Sequence, residues 1–168
     1  HMHYVLFGSA VFGLFAGLFF WYPKFTGRRL HEGLGKAQFW LMFAGFNLTF
    51  FPQHLLGLWG MPRRIADYPA HQGLETLNLV SSAAHGLTTL GVLLFLVNLA
   101  RSRRRGAPAG PDPWGGNSLE WATSSPPPPL NFDVLPPIRS ERPAFDARHP
   151  HLDAKGKGRV SEPGEGGG

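Results

Sequence analysis

Two histidines, His1 and His3, stand two residues apart at the head of an uncharged apolar run, Tyr4 to Trp21. A second pair that could do chemistry, Arg63 and Arg64, lies in the stretch WGMPRRIADYP. Imidazole nitrogen is a common ligand for metals and for haem iron. The planar guanidinium fork matches a carboxylate with two parallel hydrogen bonds. The chain contains no cysteine, so thiolate metal sites and disulfides are excluded, and histidine or carboxylate must supply any metal ligand. On a helix, residues two apart point about 200° from each other. A helical His1 and His3 therefore cannot share one ion, and each addresses its own partner on its own side of the helix. Two haems flanking one helix account for the pair, and so do two imidazoles wetted by lipid headgroups. Arg63 and Arg64 carry the same two readings: charges facing headgroups, or a clamp for paired carboxylates such as haem propionates.

The elements that must position these residues are membrane helices. The mean hydropathy of −0.11 averages two unlike halves. Residues 1–100 carry long apolar runs, whereas residues 101–168 hold 12 of the 16 prolines and almost no apolar run. The pattern predicts an all-α membrane protein with three transmembrane helices, at about 1–22, 39–59 and 77–100, the first ending near Pro23. Residues 101–150 read as an extended Pro/Gly-rich cytoplasmic tail too poor in apolar surface for its own core, with polyproline geometry at 126–129, and 151–168 as a disordered end. Only three residues precede Tyr4, so the first helix reads as beginning upstream, in a fragment of a longer chain; His1-Met2 as a cloning remnant is the competing expectation. Gly13 and Gly17 form a small-xxx-small pair suited to a close helix neighbour.

Basic residues give the orientation. Lys24, Arg28, Arg29 and Lys36 follow the first span, and Arg101, Arg103, Arg104 and Arg105 follow the third. Three crossings put both clusters on one side, which the positive-inside rule makes cytoplasmic. His1, His3, Arg63 and Arg64 then share the outward face. The net charge of +5 is spent on these flanking clusters, and no nucleic-acid motif accompanies it. Within the spans, Asn78, Ser81, Ser82, His85, Thr88 and Thr89 fall on one helical face, as a polar packing seam or a proton path. Pro52 predicts a kink in the second helix, with Gln53 and His54 near its outward end capping freed carbonyls or ordering water. His31, His71, His149 and His151 fall in loops or tail, where solvated imidazoles are the default.

The stretches HMHYVLFGSAVFGLFAG, WYPKFTGRRL, FNLTFFPQHLLGLWGMPRRIADYP and DPWGGNSLEWATSSPPPPLNF, in this order, resemble the end of subunit I of cytochrome c oxidase, in the haem–copper oxidase superfamily. The resemblance runs to about Pro150 and implies the last three of a twelve-helix bundle plus a bacterial cytoplasmic tail. It implies that His1 is the ligand of the high-spin haem iron, that His3 is an axial ligand of the low-spin haem iron, and that Arg63 and Arg64 contact haem propionates. It implies two haems, A-type by family habit, and a copper whose ligands lie upstream of this chain. The departures are Met2 where the family has Phe, Ile65 where many members have Tyr, and a longer stretch from Ala70 to Leu77. The function implied is the catalytic subunit of a respiratory terminal oxidase in the bacterial cell membrane. Such an enzyme passes electrons from cytochrome c through the low-spin haem to a haem–copper centre that reduces oxygen to water with proton pumping. The fragment alone is expected to be inactive. Its partners would be the rest of subunit I, subunits II and III, cytochrome c and the lipid bilayer, with no nucleic acid. The alternatives are a quinol oxidase subunit I of the same superfamily and a non-redox three-helix membrane subunit.

Overall fold

The computed structural model describes residues 1–69 and 72–151. His71 and the expected disordered end from 152 onward lie outside the described residues. The chain divides into two compact units, one of His1–Trp21 and Arg29–Ala107, the other of Tyr22–Arg28 and the described residues from Pro108. Among the described residues there is no β-strand, only an isolated bridge between Arg28 and Pro108.

Helix α1, Met2–Thr26, is interrupted by a π-helical turn at Leu6–Val11. It does not stop at Pro23. The ring is tolerated inside the helix, and the stop comes at Gly27, whose φ of 69° and N–H donated to the Pro23 carbonyl (2.8 Å) form a left-handed glycine cap. No residue of the apolar window of α1 is buried within the chain.

Helix α2, Glu32–Leu58, begins before Phe39, where the apolar run starts. The added turns are sustained by local contacts. The His31 Nδ1 accepts the Leu34 amide at 3.3 Å as an N-cap, and Glu32 pairs with Lys36 one turn on at 2.8 Å. His31 is thus a capping residue in addition to being exposed. Gly35 sits where a Cβ would come within 2.7 Å of the Phe19 ring, so its lack of a side chain lets α1 and α2 approach. The helix continues through Pro52, which is buried.

Helix α3, Glu75–Arg105, extends past both ends of the expected 77–100 span. It packs along α2, burying Ser81, Ala84, Thr88, Gly91 and Phe95 on one side and Met42, Phe46 and Leu56 on the other. The expected polar face divides: Ser81 and Thr88 are buried, while Ser82, His85 and Thr89 are exposed within this chain. At the far end, Asn98 exchanges hydrogen bonds with the backbone of His31 (2.9 and 3.0 Å), and the Ser102 hydroxyl donates to the Arg29 carbonyl at 2.8 Å. Of the described helices, α1 and α3 are long and apolar enough to cross a membrane by length and composition.

The second unit departs from the extended tail expected of its sequence. A 3-10 turn at Leu119–Ala122 and a short helix α4, Pro143–Arg148, are formed, and Tyr22, Ala109, Trp121 and Ala144 are buried. One indole replaces the apolar run that a core normally needs. Lys24 is 4% exposed; its ammonium donates to the carbonyls of Pro111 (3.0 Å) and Thr123 (2.8 Å) and lies 5.3 Å from the Trp121 ring centroid. Arg148 pairs with Asp112 and donates to the Gly116 carbonyl at 2.8 Å.

Candidate functional site

The first turn of α1 is helical from Met2, with the Val5 amide bonded to the His1 carbonyl at 3.1 Å. The π turn follows at once, within one continuous helix. Side-chain contacts with α2 also fix the first turn. The Tyr4 hydroxyl donates to Asn47 Oδ1 at 3.0 Å, and Asn47 donates in turn to the Phe43 carbonyl at 2.8 Å. The His3 ring lies flat on Phe50, with centroids 4.4 Å apart and planes 12° apart. Phe7 stacks on Phe46 at 5.3 Å and 13°.

The arginine pair is delivered by the end of α2. The amides of Trp59 and Met61 bond back to Leu55 and Leu56 (both 3.0 Å), and Gly60 turns the chain at φ 93°. Pro62 follows, then Arg63 and Arg64, the latter at φ 60°, a left-handed conformation uncommon for a residue with a Cβ. Both arginines are exposed.

These pieces border one cleft of about 920 Å³, lined by His1, Met2 and His3 from α1, by Thr49, Phe50, Gln53, His54, Leu56 and Gly57 from α2, by Met61 to Ile65 from the loop, and by Ser81 from α3. His1, His3, Arg63 and Arg64 therefore all border one cleft, whereas the helical spacing predicted that His1 and His3 would face separate partners on opposite sides. Among the described residues no hydrogen bond or ion pair engages the two guanidiniums. Gln53 donates to the Ser81 hydroxyl (2.8 Å), which donates to the Thr49 carbonyl (2.6 Å); the Thr49 hydroxyl is buried without a partner. His54 Nδ1 lies 3.1 Å from the Phe50 carbonyl, so its contact is with the backbone one turn back, while Gln53 reaches across to α3.

The residue types bordering the cleft offer imidazole nitrogen to a metal and guanidinium to carboxylates. The volume lies in the range of pockets for cofactor-sized ligands. Among the described residues no three histidine or carboxylate groups converge as a metal cage. An iron held in a porphyrin needs only axial ligands from the protein, and single imidazoles provide them. Two free guanidiniums on the same cleft match a ligand bearing paired carboxylates. Phe50 was missed in the sequence because nothing in an aromatic-rich helix distinguishes it from its neighbours. Its one signal is the i,i+4 spacing from Phe46, which sets both rings on the face toward α1.

Residues 1–87 match the family described as cytochrome c and quinol oxidase polypeptide I. The chain is 59% identical over 154 residues to a Streptomyces coelicolor protein assigned as cytochrome c oxidase subunit 1-beta, covering 90% of this chain and 27% of the relative. It is 53% identical to cytochrome c oxidase subunit 1 of Corynebacterium diphtheriae and 54% identical to that of Corynebacterium efficiens, each over 90% of this chain and 27% of the relative. The chain thus spans about a quarter of the length of the curated relatives it matches. With more than half of its residues inside the matching region, the chain belongs to the cytochrome c and quinol oxidase polypeptide I family.

Proposed function

We propose that this chain supplies the closing membrane segment of the catalytic subunit of a bacterial respiratory terminal oxidase. In this reading α1, α2 and α3 all cross the membrane, with the residues past Arg105 on the cytoplasmic side. His1 would hold the iron of a high-spin haem and His3 that of a low-spin haem. Arg63 and Arg64 hold the haem propionates and keep their charges compensated where the dielectric is low. The observation that carries the reading is that His1, His3, Arg63 and Arg64 all border one cleft. When bound, the haems supply one-electron transfer from cytochrome c and, beside a copper held elsewhere in the subunit, the place where oxygen is reduced to water with proton pumping. This chain's own part is to ligate, to orient through the α1–α2 aromatic contacts, and to neutralise carboxylates. The rest of subunit I and subunits II and III complete the assembly.

The test is the reduced-minus-oxidised spectrum of a full-length subunit I carrying this segment, with and without His3→Ala. Loss of the low-spin haem band is expected; an unchanged band, or a parent that binds no haem, sinks the reading in favour of a non-redox membrane subunit. A dinuclear copper site on the neighbouring subunit II distinguishes cytochrome c from quinol as donor.

A further inference from the structure

We infer that Phe50 is a positioning residue that sets the ring plane of the His3 imidazole, and that it does so for a low-spin haem; the inference rests on the proposed role of His3. An imidazole bound only through one nitrogen can turn about the metal–nitrogen bond, so something else must choose its azimuth. The helix backbone does not set it, because the torsion that turns an imidazole about its Cβ–Cγ bond is broad. The partner that lies against the ring is Phe50, face to face at 4.4 Å with planes 12° apart. A flat contact of this kind couples the two planes, because turning either ring drives its edge into the other.

Phe50 is itself held. Its ring is 5.4 Å from Phe46, which is 5% exposed, and 5.9 Å from Phe7, both in tilted contact. The residue after His3 is pinned separately by the 3.0 Å hydrogen bond from Tyr4 to Asn47. The backbone at His3 is thus fixed through one contact and the ring plane through another. The two can be altered independently.

In a ferric low-spin haem with two imidazole ligands, the low-field g value depends on the angle between the ligand planes. It reads the azimuth of His3 without reference to turnover. The experiment is electron paramagnetic resonance of the assembled full-length oxidase carrying Phe50→Met, which keeps bulk and removes the plate, beside Phe50→Tyr, which keeps the plate. The expected result is a shifted or broadened low-field g value in Phe50→Met, with low-spin haem content retained, and the unaltered value in Phe50→Tyr. Loss of the low-spin haem alone from an assembled Phe50→Met enzyme that keeps its high-spin haem also supports the assignment. An unshifted g value in Phe50→Met with the haem bound overturns it. If Phe50→Met does not assemble, the ring planes in an experimental structure of the unaltered holoenzyme decide: parallel His3 and Phe50 rings support the assignment and crossed rings overturn it. Failure of the haem reading itself is recognised separately, as a low-spin haem that survives His3→Ala.

Discussion

Arg63 and Arg64 are neighbours of one type held in different backbone conformations, and substitution should separate charge from strain. Arg64 lies at φ 60°, where a side chain costs about 1–3 kcal/mol unless its surroundings offset it. Asparagine tolerates that region far better than a β-branched residue does. Arg64→Asn should therefore leave the thermal midpoint of the full-length subunit near that of the parent, while Arg64→Ile lowers it by the equivalent of about 1–2 kcal/mol; both lose the guanidinium, and haem content should fall in each. Scanning calorimetry beside a pyridine haemochrome assay checks the split. At this scale residue type alone singled out His1, His3, Arg63 and Arg64 as candidates, because few side chains offer a metal ligand or a carboxylate clamp. The sequence was silent on Thr49 and Phe50, whose roles depend on what another helix sets beside them.

Helix packing in the first unit rests on glycines at particular positions. A Cβ on Gly45 would come within 2.6 Å of the Thr88 hydroxyl and 2.7 Å of its backbone amide, and one on Gly91 within 2.5 Å of Met42. Gly13 and Gly17 have nothing within 4 Å of such a carbon in this chain. Gly45→Val should thus cost about 1–3 kcal/mol through overpacking against a backbone that cannot retreat, whereas Gly17→Ala introduces no clash between α1 and the other described elements. Denaturant titration in detergent, following helical ellipticity, measures the first; a Gly45→Val variant as stable as the parent would remove the close approach from the account. The existence of the helices was legible in their apolar runs. Their ends were not: α1 passes Pro23 to a glycine cap, and α2 starts at an imidazole cap and an ion pair that lie outside any apolar pattern.

Over the whole molecule, Lys24 shows how a proline-rich sequence can hold a compact unit without an apolar run. Its ammonium donates to the carbonyls of Pro111 and Thr123, tying two stretches of the unit to one buried side chain. Lys24→Met keeps the stem and removes the donor to the Thr123 carbonyl, at a cost of about 1–3 kcal/mol, while the Pro111 carbonyl keeps the Ser125 hydroxyl at 3.3 Å. Amide exchange across residues 108–125 should accelerate in Lys24→Met, and an unchanged exchange profile would show that Trp121 suffices alone. This organisation was hidden in the sequence because backbone carbonyls carry no residue signature, so a lysine that binds them looks like any flanking charge. The turn at Leu6–Val11 has a consequence for chain length. A π turn amounts to an α-helix with one residue too many, absorbed in a wider turn, so dropping one residue there would let ordinary bonding resume while leaving the residues on either side in nearly the same angular phase. Homologues one position shorter in that stretch would fold alike and aim their nitrogen donors the same way, a freedom in residue number that the regular turns of the helix, where each residue adds about 100°, do not share.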